Sequence, residues 1–166
     1  DRLIGVGMMG VSEALARMGL PYDSEDGRQQ AAVFADILTQ ISIEESEDIA
    51  KEKGAIENFD RRNAWTTTVA PTGTCSLVGD TTPGCEPPFL LMYKKLISDM
   101  GRVTIVSPQA RALGLSESDI DSEGKAKSAD PLLKTASEID PEDHVRMVAA
   151  IQSEIQAGVS KTVNLS

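Results

Sequence analysis

The chain has 166 residues, 40% of them hydrophobic, or about 48% with its 13 glycines counted, which is the composition of a globular domain and excludes a disordered chain. With 26 acids against 16 bases, the formal charge of −10 repels phosphate backbones, so general nucleic-acid binding is not expected, whereas one bound nucleotide is compatible with it. No apolar run approaches the ~18 residues of a membrane span and no basic-then-apolar leader opens the sequence, so a soluble, cytoplasmic domain with no membrane partner is expected.

The chain opens without Met and directly into a patterned segment, which suggests a piece of something larger. Gly5 to Gly10 spells G-x-G-x-x-G, the fingerprint of dinucleotide-binding folds. A nicotinamide dehydrogenase reading rests on that pattern alone. Ile4, Met8, Val11, Leu15 and Met18 follow at spacings of four, three, four and three, which predicts a helix running straight through the glycines. Only four residues precede Gly5, and the acids at the right distance, Asp23 and Asp26, lie in a turn. The glycines are therefore read as a helix surface made thin for close packing.

Gly19 and Pro21 end this first helix, and Ser24 caps a second that extends to Gly54, with Phe34, Ile37, Leu38 and Ile41 as its apolar side. A charged loop with Arg61 and Arg62 follows. Thr66 to Val69 reads as a strand, which Pro71 and Gly73 break into a tight loop. Phe89 to Tyr93 is an apolar run that fits helix or strand. Arg102 to Val106 predicts a strand, and Ser107-Pro108 starts a short helix that Gly114 ends. Between Ser116 and Asp143 nine acids face only Lys125, Lys127 and Lys134, the signature of a solvated surface stretch. Asp140-Pro141-Glu142-Asp143 starts a last helix with Val148, Ile151 and Ile155 inward, Gly158 at its end and a short terminal strand after it. The whole is mixed α/β without internal repeats.

Cys75 and Cys85 are too widely spaced for a C-x-x-C site, and His144 is the only histidine, so a zinc site or a histidine-based triad is not expected. Both cysteines read as buried or half-buried small hydrophobes, and His144 as a first-turn residue with a local hydrogen bond. The loop Pro71-Thr72-Gly73-Thr74-Cys75-Ser76 carries more information, with three hydroxyls around one glycine after a strand. A nest of backbone N–H groups there can hold phosphate, with Gly73 allowing close approach and Thr72, Thr74 and Ser76 adding hydroxyls. It contains no lysine and is not a Walker loop. An ordinary turn with satisfied hydroxyls is the alternative.

The segment APTGTCSLVGDTTPGCEPPFLLMYKK resembles the large catalytic subunit of ribonucleotide reductases, most closely the adenosylcobalamin-dependent class. There a Pro-Thr-Gly-Thr/Ser loop precedes a Gly-x-Glu-Pro segment and an apolar-Tyr-Lys stretch. GVGMMGVSEALARMGLPYDSEDG is similar to the family's glycine-bearing helix, HVRMVAAIQSEIQAGVSKTVNLS resembles its penultimate barrel helix and strand, and Val103 to Pro108 resembles its T-V-V-N-P region. The resemblance covers nearly the whole chain and implies that residues 1–166 are the C-terminal part of a ten-stranded α/β barrel. It implies that Pro71, Thr72, Gly73, Thr74, Cys75 and Ser76 bind the phosphates of a ribonucleoside di- or triphosphate.

The family's activity removes the ribose 2′ hydroxyl through a cysteine thiyl radical, with adenosylcobalamin in the complete enzyme and a thioredoxin-like reductant. The Asn-x-Cys-x-Glu radical loop is absent, and the resemblance places it upstream of Asp1, so no catalytic residue is assigned and the isolated chain is expected to be inactive. Cys75 and Cys85 fall where the family more often has an aliphatic or hydroxyl residue, which argues against a redox pair. Glu86 is expected to anchor its loop. The competing reading is a non-catalytic phosphate-binding or assembly module that complements a separately encoded barrel half.

Overall fold

The computed structural model describes residues 2–97 and 101–165. Its framework is three extended segments lying parallel: residues 4–6, 66–69 and 157–160. Val6 bridges Thr67, and Val69 bridges Val159, both in the parallel sense. Main-chain bonds close the ladder, from Val6 N–H to Thr66 O (2.8 Å), Thr68 N–H to Val6 O (3.0 Å), Val69 N–H to Gly158 O (3.0 Å) and Ser160 N–H to Val69 O (2.8 Å). Parallel strands require crossovers, and helices supply them here.

Between the first and second segments run α1 (Val11–Arg17) and α2 (Glu25–Lys53); before the third runs α5 (Pro141–Gln152), packed on α2. Ser24 accepts from Gly27 N–H at the start of α2, and Asp140 accepts from Glu142 N–H at the start of α5, as their sequences predict. An α3 (Gly73–Val78), an antiparallel hairpin of β1 (Met92–Ile97) and β2 (Gly101–Val106), and α4 (Pro108–Ala112) lie between. Ser107 caps α4 through Ala110 N–H.

The core joins Val11, Leu15, Tyr22, Ala31, Ala35, Val69, Met147 and Ile151. A second cluster, Leu91, Ala110, Ile120 and Leu133, supports the hairpin and the acidic stretch. Most acids of that stretch are exposed, as expected. Ser12 Oγ donates to Gln109 Oε1 (2.7 Å) and so ties α1 to α4.

Several expectations are corrected. Residues 4–10 are not helical: the chain is extended at Val6, and Gly10, left-handed at φ 82°, is the N-cap of α1. Close packing does explain a glycine there, because a Cβ on Gly7 would stand 2.4 Å from Thr68 O of the adjacent segment. The buried face of α2 is formed by Ala31, Ala35, Thr39, Ser46 and Ala50; of the expected apolar side Phe34 and Leu38 pack against the core, whereas Ile37 and Ile41 are exposed. Small residues let α2 lie close to the sheet, where Thr39 Oγ1 donates to Glu154 O (2.7 Å) and meets Thr67 Oγ1 (3.1 Å). Helix α5 ends at Gln152, well before Gly158, and buries His144 and Met147 as well as Ile151. The terminal strand pairing falls on residues 157–160, earlier than expected. The run Phe89 to Tyr93 resolves into a bend followed by β1.

Candidate functional site

The strand at 66–69 delivers the chain to Pro71, and Thr72 then turns it into α3. Thr72 is left-handed (φ 49°, ψ 28°) and is the N-cap; its carbonyl accepts from Ser76 N–H (2.8 Å). The tight loop expected at Pro71–Ser76 is thus one turn followed by a short helix. Among the described residues the N–H groups of Gly73, Thr74 and Cys75 have no protein acceptor, as the first turn of a helix dictates.

The six sequence-predicted residues divide into two sets. Gly73, Thr74 and Cys75, whose amides lack a protein acceptor, are all exposed. Thr72 Oγ1 accepts from Gly84 N–H (2.8 Å), and buried Ser76 donates its hydroxyl to Gly73 O (2.9 Å). Those two hydroxyls build the turn. Pro71 is exposed and has no N–H to give. A Cβ on Gly73 would meet no neighbouring atom within 4 Å, so a side chain there would find open space.

Beside α3 lies a cavity of about 670 Å³, lined by Gly73, Ser76 and Leu77 of α3, by Phe89, and by Tyr93 and Ile105 of the hairpin. Asp80, also on its wall, pairs with Arg111 of α4 at 2.5 Å. An amide-lined turn beside a mostly apolar hollow can hold an anion joined to a flat, weakly polar group.

A buried brace backs the turn. Tyr22 Oη donates to Cys85 O (2.7 Å), Lys161 Nζ donates to Glu86 Oε2 (2.7 Å), and Thr162 N–H donates to Glu86 Oε1 (2.6 Å). Lys161 Nζ also lies 5.7 Å from the Tyr22 ring centroid. Glu86 is thereby the structural anchor of its loop that the sequence suggested. Tyr22 and Lys161 gave no sequence signal, because their partners lie more than 60 residues away.

Burial pushes the Cys85 thiol up to about 11, Glu86 adds to the shift and Lys161 opposes it. Burial, then Cys85 and Glu86, also raises the Tyr22 hydroxyl. Cys85 is therefore a neutral buried residue, as expected, but Cys75 is exposed, which corrects its reading as a half-buried hydrophobe. His144 is fully buried, with Nε2 3.0 Å from Ala136 O and Nδ1 without a partner, so its hydrogen bond reaches beyond its own helix. No three potential metal ligands cluster among the described residues, and no described helix is long and apolar enough to cross a membrane.

The parallel ladder with helical crossovers and an amide-bearing turn at a strand's C-terminal end is the pattern of a partial α/β barrel. A family model described as "Ribonucleotide reductase, barrel domain" matches residues 1–64 and 61–166, and the chain belongs to that family. It is 38% identical to a vitamin B12-dependent ribonucleoside-diphosphate reductase of Mycobacterium tuberculosis (strain CDC 1551 / Oshkosh), over 99% of this chain and 27% of the relative. A protein of the same name from Thermoplasma acidophilum is 28% identical over 99% of this chain and 24% of its own length. The chain thus spans about a quarter of these curated relatives. The fold matches that of the class Id ribonucleotide reductase alpha subunit of Actinobacillus ureae, with a TM-score of 0.73 at 22% identity, over 92% of this chain and 31% of that one.

Proposed function

We propose that this chain is the C-terminal part of the barrel domain of a ribonucleotide reductase and supplies the turn that holds the substrate's phosphates. The observation that carries the reading is the set of three amides without a protein acceptor, at exposed Gly73, Thr74 and Cys75, the first of which lines the cavity. Amides bind an anion through charge-assisted hydrogen bonds roughly twice as strong as neutral ones. The exposed Thr74 hydroxyl adds a donor. The substrate is a ribonucleoside di- or triphosphate, and the names of the Mycobacterium and Thermoplasma relatives favour the diphosphate.

The same names support vitamin B12 dependence, hence adenosylcobalamin, which supplies the radical when bound to the complete enzyme. The described residues do not fit that cofactor: the sole imidazole, His144, is buried against Ala136 O. The cofactor, the radical cysteine and the site for a thioredoxin-like reductant belong, in this reading, to the remainder of the enzyme, which acts in the cytoplasm. The segment itself binds and orients.

The test is an assay of the full-length protein with ribonucleoside diphosphate, adenosylcobalamin and a dithiol. Formation of 2′-deoxyribonucleotide, with none from the 166 residues alone, is the expected result. A full-length protein that folds and binds cobalamin yet forms no deoxyribonucleotide would contradict the reading.

A further inference from the structure

We propose that Thr72 is a positioning residue, whose hydroxyl fixes the angle of the phosphate-holding amides by accepting the Gly84 N–H. The inference rests on the phosphate reading of the turn and concerns how the turn is held in shape. A β-branched residue at φ 49° lies in a region that such side chains rarely adopt, and it persists only where the surroundings hold it. Thr72 is also the joint of the site: behind it Val69 is bonded through both its N–H and its carbonyl to the third segment, and in front the Thr72 carbonyl takes the first bond of α3. Rotation at this residue swings all three amides together.

The restraint on that rotation is the 2.8 Å bond from Gly84 N–H to Thr72 Oγ1. Gly84 is buried, and its carbonyl accepts from the Val11 N–H at the start of α1 (3.4 Å). The next two residues are fastened to the core, Cys85 O by Tyr22 and the Glu86 carboxylate by Lys161 and Thr162. A line of bonds thus runs from Lys161 and Thr162, just past the third parallel segment, through the Gly84–Glu86 brace, to the joint of the turn.

The test uses the full-length protein and two readouts: affinity for a ribonucleoside diphosphate, and residue-resolved hydrogen exchange of the Gly84 amide without nucleotide. Thr72→Val removes the acceptor and Thr72→Ser keeps it. The expected result is about tenfold weaker binding and lost Gly84 protection in the valine variant, with serine within about twofold of the parent in both. Should Thr72→Val fail to fold, Thr72→Gly, which tolerates the left-handed backbone, is read the same way. Weakened binding with Gly84 still protected would mean that the hydroxyl acts by touching the phosphate, and would overturn the inference. Lost protection with unchanged affinity would overturn it equally. Gly73→Val separates this from the underlying reading: if it weakens binding while Thr72→Val does not, only the positioning role fails, and if neither does, the phosphate site fails.

Discussion

Lys161 Nζ lies 2.7 Å from Glu86 Oε2, and the lysine side chain is completely enclosed while the glutamate keeps slight contact with solvent. A buried ammonium is tolerable only with its counter-charge. Glu86→Gln leaves the Thr162 N–H an acceptor but strands the cation, so a loss of about 3 kcal/mol is expected in urea unfolding. Adding Lys161→Met to that variant should recover part of the loss, and the double-variant cycle measures the coupling.

The two cysteines should separate cleanly by reactivity. Cys75 is exposed on α3 and should react with a thiol-specific reagent in the native protein. Cys85, buried and with its thiol held at about 11, should react only after unfolding. Thiol titration with and without denaturant checks this, and mass spectrometry locates the modified residue.

Alkaline pH should weaken this fold through the same thiol. Free in the unfolded chain, Cys85 ionises near 9.0, and in the fold near 11, so between those values the unfolded state has lost a proton that the native state keeps. Stability is therefore fully present below about pH 9 and falls as pH rises toward 11, by about 2–3 kcal/mol from this group. The raised Tyr22 hydroxyl acts in the same direction. Unfolding midpoints measured across that window, compared with those of Cys85→Ala, should show a shallower decline in the variant.

Gly7 and Gly73 should respond oppositely to alanine. At Gly7 the new methyl would fall 2.4 Å from the Thr68 carbonyl, part of a neighbouring backbone that cannot move aside freely. A cost of about 1–3 kcal/mol is expected. At Gly73 no protein atom lies within 4 Å of the added carbon, and stability should change by less than about 0.5 kcal/mol. Circular dichroism during denaturant unfolding of the two variants decides the contrast.

What was legible in the sequence was local. Ser24, Ser107 and Asp140 announce their helices because each cap satisfies an amide two or three residues away. The extended run at Thr66–Val69 was legible from its β-branched residues, whereas the loop after it closes into the short helix α3. The stripe from Ile4 to Met18 misled, because the pairing of Val6 with Thr67 is a contact across 60 residues that no helical spacing reveals. The inward face of α2 was read in part: Phe34 and Leu38 do pack on the core, but close approach to the sheet selects Ala31, Ala35 and Thr39, which carry little hydrophobic signal, over Ile37 and Ile41. In the candidate site the residue types were readable but their division of labour was not. That division depends on the Gly84 N–H and, behind it, on Tyr22 and Lys161.

The central claim, that the turn at Gly73 to Cys75 holds a nucleotide's phosphates, is tested most directly by the affinity of the full-length protein for a ribonucleoside diphosphate after Gly73→Val. The added Cβ would meet no neighbouring atom within 4 Å, and the valine methyls would crowd the turn that carries the amides. Affinity reduced about tenfold or more, with the unfolding midpoint unchanged, is the predicted result. Parental affinity in a folded Gly73→Val protein would contradict it.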